Sequence, residues 1–289
     1  MTAARILREG LDFGEGPRWR DGRLWFSDFY RHAVYTLDES GQDEQQVLAV
    51  PGQPSGLGWL PDGSLLVVSM LDRKVLKLIP GGSEAQEYAD LSGLADYHAN
   101  DLVTDAEGGA YVGNFGYDLH EDIRTREIPV ILADEVTGVT RLARIAPDGS
   151  VSSAAEGMRF PNGMVLIDEG RTLVVAETTG LRLTAFDVAA DGGLSNRRVW
   201  ASTAEQMVAP DGICADPQGG VWVSAALGNA VVRYAEGGAV TGMVETSQIA
   251  YACALGGDDG RTLFVMTAPS SDPHEVDGQR LGRIEVATV

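Results

Sequence analysis

Cysteine is almost missing from this 289-residue chain. Cys214 and Cys253 are the only two, too few to staple a fold and without the spacing of a metal site. They are expected as reduced, buried thiols, which points to the cytoplasm. The N-terminal MTAARILREG has no apolar stretch of the secretory type, and no run of 18 or more apolar residues is present to cross a bilayer. Basic residues are also short, 22 against 42 acidic, for a formal net charge of −20. Such a surface repels phosphate backbones and anionic lipid. It excludes nucleic acid and membranes as partners and favours cations. No Pro/Ser-rich tract or long charge run divides the chain, so one domain over residues 1–289 is expected, as a monomer or weak homo-oligomer. A Gly-x-Ser-x-Gly elbow, a Walker loop, a dinucleotide fingerprint and helical periodicity of useful length are all lacking.

Glycine, by contrast, is plentiful at 36 residues and evenly spread, which reads as frequent turns. One phrase recurs: a short apolar run, an Asp/Gly turn, then a β-rich run. It appears as GPRWRDGRLWFSD from Gly16, GLGWLPDGSLLVVSM from Gly56 and DLVTDAEGGAYVGN from Asp101. It returns as GMVLIDEGRTLVVAE from Gly163, GICADPQGGVWVSA from Gly212 and CALGGDDGRTLFVMT from Cys253. Each copy is a hairpin signature, and further strand-like runs such as AVYTLD and VVRYAEG follow. About four strands per repeat of roughly 40–50 residues is the content of a propeller blade. Six copies predict an all-β, six-bladed propeller, with ARILREG adding a strand to the last blade to close the ring. The gap between copies three and four is longer and holds an insertion over about 117–140. Such an insertion either belongs to the binding face or is a tolerated surface loop.

In a propeller the first strand of each blade lines the channel, and all six start at one rim. The residues just before each repeat therefore form a ring: Glu15, Ser55, Asn100, Asn162, Asp211 and Ala252. Asn-Gly and Asp-Gly initiate turns, but a turn alone does not ask for Glu. Two carboxylates beside amides make an all-oxygen set suited to one divalent cation. Ca²⁺ is the first expectation, with Mg²⁺ and Mn²⁺ as alternatives. Zn²⁺ is a further alternative, with no His or Cys in the ring to prefer it.

GEGPRW from Gly14, AND at 99–101, FPNGMVL and APDGICAD together resemble the hallmarks of the senescence marker protein/gluconolactonase/luciferin-regenerating-enzyme-like (regucalcin-like) family. LSNRRVWA from Leu194 and the run from Cys253 agree, and the likeness covers nearly the whole chain. The resemblance implies a six-bladed propeller with one divalent cation at the channel rim and hydrolase activity on lactones, or in some members on phosphoesters. It implies Glu15, Asn162 and Asp211 as metal ligands and Asp211 as nucleophile or general base. Asn100 would bind the substrate or a nearby water. Two departures bear on specificity. The position of a sugar-contacting Arg holds His98, and that of a Glu holds the shorter Asp118. With Phe115 and Tyr117 on the same loop, these residues predict a less polar or larger small-molecule substrate.

The expected function is therefore a metal-dependent hydrolase of cyclic esters, a lactonase. A dication stabilises the oxyanion as water adds, and Asp211 takes the proton. His98 is either a proton donor to the leaving alkoxide or a structural histidine. Glu177 returns to the same rim, and His120, Glu121 and Asp122 are expected on a solvated loop. The alternatives are a phosphotriesterase-like enzyme on the same metal and a non-catalytic binding propeller.

Overall fold

The computed structural model describes residues 2–289. Its strands form six sheets, each built on an antiparallel meander. Blades one to five span residues 14–49, 54–90, 99–159, 161–202 and 210–245, and blade six begins at Ile249. The first strands of successive blades touch in cyclic order, and the sixth touches the first. They form the inner ring, and the fold is the six-bladed propeller expected from the repeats. Blade six draws only three strands from the C-terminal end. Its outermost strand is Arg5–Leu11, antiparallel to Gly282–Thr288, so the ring is closed by the chain's two ends. Thr2–Ala3 pairs in parallel with Val240–Glu245 as a fifth strand on blade five.

The core lies between blades. Val34, Leu57 and Val67 fill the gap between blades one and two. Tyr111, Met158, Met164 and Leu173 do the same between three and four. This is the consequence of strands covered on both faces, whose alternate residues each find an apolar neighbour. Cys214 and Cys253 are free thiols on adjacent inner strands, with sulfurs 3.7 Å apart.

The Asn-Gly and Asp-Gly pairs at the rim are β-bulges rather than hairpin turns. In blades two to five the first strand carries two residues opposite one on the second. The pairs are Ser55–Gly56, Asn100–Asp101, Asn162–Gly163 and Asp211–Gly212. A bulge re-aims the side chain it carries, here at the rim. The glycine that follows has a separate cause. A Cβ on Gly56 would overlap the backbone of Asp101 and Leu102, and one on Gly163 or Gly212 would overlap the next inner strand. In blade six the extra residue is Tyr251, so the register there is one residue earlier than Ala252, which packs into the core.

The insertion of blade three contains two short helices, α1 (Leu119–Thr125) and α2 (Ile128–Ala133). Asp118 caps α1 by accepting from the Glu121 amide at 2.9 Å, and Pro129 sits in the first turn of α2. Arg126 joins the two helices through Asp122 and Asp134. Arg159 of blade three donates to the Leu132 and Asp134 carbonyls at the end of α2. Across the rim, Arg124 pairs with Asp272 at 3.2 Å, just before the short helix α3 (Pro273–Val276). The insertion is thus pinned at both sides of the rim.

Leu11, fully buried among Phe26, Phe264 and Met266, is where the closing strand meets blades one and six. Leu11→Ala is expected to lower unfolding free energy by about 3 kcal/mol, read from urea denaturation. A loss below about 1 kcal/mol would mean that ring closure does not depend on this contact.

Candidate functional site

Five of the six inner strands deliver a polar side chain to one rim: Glu15, Ser55, Asn100, Asn162 and Asp211, all buried. They are joined by a relay of hydrogen bonds. Ser55 Oγ donates to Asn100 Oδ1 at 3.2 Å, and Asn100 Nδ2 donates to Asn162 Oδ1 at 2.7 Å. Asn162 Nδ2 donates to Thr178 Oγ1 at 3.1 Å, and Thr178 Oγ1 donates to the Pro210 carbonyl at 2.8 Å. The relay runs from blade two to the residue before Asp211. It fixes both amides so that their oxygens and nitrogens cannot exchange without loss of bonds.

Asp101, the second residue of the blade-three bulge, is a third buried carboxylate, and its Oδ1 has no hydrogen-bond partner. Glu15 Oε2 accepts from the Gly16 amide at 2.9 Å. Burial, then the charges of Asp211 and Asp101, push the Glu15 carboxyl well above its ordinary value. Burial, then Asp101, do the same to Asp211. Asp101 is raised by burial, with Arg18 opposing. Three carboxylates beside one guanidinium are not a stable set by themselves. No group of three His, Cys, Asp or Glu side chains close enough to hold a metal occurs among the described residues. Glu15, Asp211 and the Asn162 amide offer oxygen atoms only, a donor chemistry that suits a hard divalent cation.

Above this polar floor opens a cavity of about 110 Å³. Glu15, Asn100, Asn162, Asp211, Thr178 and Thr179 line its base. Its walls are apolar: Phe13, Phe29, Phe115 and Phe160 from the blades, and Leu119, Ile123, Ile128, Ile131 and Leu132 from the two insertion helices. Tyr251 and Ser271 complete it from the blade-six side.

Of the residues singled out in the sequence, Glu15, Asn100, Asn162, Asp211 and Phe115 meet at this cavity. His98, Tyr117 and Asp118 are not on its wall. The His98 ring stacks on Tyr97 at 4.0 Å and meets Phe115 edge-on at 6.1 Å, so it backs the wall rather than forming it. Asp118 is spent as the cap of α1, and Tyr117 packs on Gly138 with burial pushing its hydroxyl up to about 12. Glu177 is fully buried and consumed by Arg182, Arg197, Thr184 and the Arg159 amide. His120, expected on a solvated loop, lies on the cavity wall with Nε2 3.3 Å from Ser271 Oγ, and burial lowers its pKa. The signal for its helix is present in the sequence. Asp118 and Glu121 stand three apart, as in a capping box, and Pro129 opens α2.

The family model described as SMP-30/gluconolactonase/LRE-like region matches residues 13–269. The chain is 27% identical over 280 residues to the pentonolactonase XacC of Haloferax volcanii, covering 93% of this chain and 86% of that one. It superposes on a calcium-binding protein, regucalcin, of Agrobacterium tumefaciens with a TM-score of 0.79 at 22% identity, covering 99% and 94% of the two chains. A gluconolactonase of Xanthomonas campestris gives a TM-score of 0.75 at 22% identity, with 99% and 90% covered.

The crowded carboxylates make a stability prediction. Their raised pKa values favour the neutral form in the folded state. The cost is therefore full above the folded pKa and vanishes as pH falls through the unfolded value, about 4 for Asp. In chelator at about pH 7.5, Asp211→Asn is expected to be more stable than the parent by about 1–3 kcal/mol. That advantage should disappear toward about pH 4. Urea titrations across pH read it, and a variant equal or weaker at neutral pH would mean that the carboxylates do not repel.

Proposed function

The chain belongs to the SMP-30/gluconolactonase/LRE-like family, and from that premise we propose that it is a divalent-cation-dependent hydrolase that opens lactones. The observation carrying this reading is the pair Glu15 and Asp211, buried with the Asn162 amide at the floor of a cavity large enough for a small molecule. The pentonolactonase relative supports the reaction class, and the calcium-binding structural neighbour supports the cation. Glu15, Asn162 and Asp211 would hold the ion, Ca²⁺ first among the candidates because every donor is oxygen. When bound, such an ion supplies positive charge against the buried carboxylates and polarises an ester carbonyl.

The chain's own residues do the rest. Asn100 locks the Asn162 amide with its oxygen aligned, through the 2.7 Å bond between them. Asp211 takes a proton from the attacking water at a carboxylate oxygen as the new C–O bond forms. Thr179 also lines the cavity floor, with its Oγ1 buried and without a partner. As the acyl–oxygen bond of the ring breaks, the departing alkoxide needs a proton. The proton that Asp211 took from the water is the one to return, which restores its carboxylate. The sum is one lactone and one water converted to one hydroxy acid.

Metal-stripped protein assayed on a lactone panel, with Ca²⁺, Mg²⁺, Mn²⁺ or Zn²⁺ restored singly, tests the proposal. We expect turnover to return with at least one ion and to fall by about 10²-fold or more in Asp211→Asn. Stoichiometric ion binding without turnover of any lactone would move the reaction to a phosphorus centre. Absence of ion binding would leave a binding propeller.

A further inference from the structure

The floor and the walls of the cavity ask for different chemistry, and the aliphatic side chains of the walls have no role in the hydrolytic step. Five aliphatic side chains of α1 and α2 face the cavity, and none can accept or donate a hydrogen bond. Among the insertion's residues on the wall, only His120 is polar, and its Nε2 already faces Ser271 Oγ. Phe115 and Phe160, also on the wall, pack ring to ring at 4.4 Å, a further apolar surface. At the mouth, Ile123 and Leu227 are 40% and 44% exposed although both line the cavity. That is apolar surface on the wall of a concave site, held open to water by helices pinned at Arg159 and Asp272.

A polyhydroxylated ring placed here would bring hydroxyl groups against side chains that cannot pair with them. Each hydroxyl stripped of water and left unpaired costs about tenfold in affinity. A hydrocarbon substituent gains instead, by about fourfold per methylene buried. The net charge of −20 bears on a separate choice, favouring a neutral ligand over an anionic one.

We propose that the substrate is a neutral lactone bearing a medium-length alkyl chain, and that the α1–α2 insertion is the wall that selects it. The lactone ring would sit on the floor near Asp211, with the chain running along Ile128 and Ile123 toward the mouth. This inference rests on the lactonase reading for its reacting group, but the apolar wall that carries it is independent of the cation.

The experiment uses the full chain loaded with its activating cation. It compares δ-valerolactone, δ-octalactone, δ-decalactone and D-glucono-δ-lactone. We expect kcat/KM to rise about fourfold per added methylene and the decalactone to exceed the glucono-lactone by at least about 100-fold. Ile128→Gln should cut the ratio of decalactone to valerolactone turnover by about tenfold. Alongside, calorimetry with the matching lactams, which are not hydrolysed, reads binding alone. Affinity should climb with chain length and carry a negative heat-capacity change. Turnover of valerolactone and glucono-lactone with no gain from the chain would overturn the inference while leaving the lactonase reading standing. Turnover of no lactone at all would remove that reading, and the lactams would still decide. A chain-length gradient in their binding would support the apolar ligand class, and flat affinity would overturn it.

Discussion

Six inner strands packed backbone against backbone around one axis impose the constraint from which the rest follows. At Gly56, Gly163 and Gly212 the neighbouring strand comes so close that no Cβ fits. Close approach demands glycine, and the bulge beside it turns the preceding side chain toward the rim. Ser55, Asn162 and Asp211 occupy those preceding positions. The same geometry that lets the ring close therefore builds the floor of the cavity. Closure itself is completed by Arg5–Leu11, which the N-terminal part of the chain supplies as the outermost strand of blade six.

The floor is an electrostatic cost that packing holds in place. Asp101 stands where blades two, four and five carry glycine, and it adds a third buried carboxylate to Glu15 and Asp211. Burial raises all three pKa values before any mutual repulsion is counted. A fold selected for stability alone would place apolar groups there. Concentrating acid where water is excluded is a pattern of functional sites rather than of structural ones. The hydrogen-bond relay from Ser55 to the Pro210 carbonyl gives this strained set a fixed geometry.

The insertion adds what the ring lacks. The blades supply polar atoms at the rim, and the two helices supply an apolar wall above it. A propeller of this kind supports many chemistries because the floor and the wall vary separately. Here the wall is fastened by ion pairs and by Arg159 at the helix C-terminus, so its side chains are held over the floor rather than left to solvent.

Much of this is legible in the sequence. Six recurring Asp/Gly hairpins dictate strand content, because period-two alternation and turn chemistry are local properties. Counting register from those hairpins also locates Glu15, Asn100, Asn162 and Asp211. Equivalent positions in a repeat must lie at equivalent heights on the axis. Register slips by one residue in blade six, where Tyr251 is the bulged residue and lines the cavity in place of Ala252. The insertion shows in the sequence as added length, not as helices. α1 and α2 are too short for periodicity to show, although the Asp118 cap and Pro129 mark their starts. Nothing local can say that His120 faces the cavity while His98 and Asp118 do not. That choice depends on Arg124 reaching Asp272, 148 residues away, and on Arg159 catching the end of α2. Short-range chemistry determined the blades and their ring of oxygen donors. Only contacts between distant parts of the chain decided which side chains close over it.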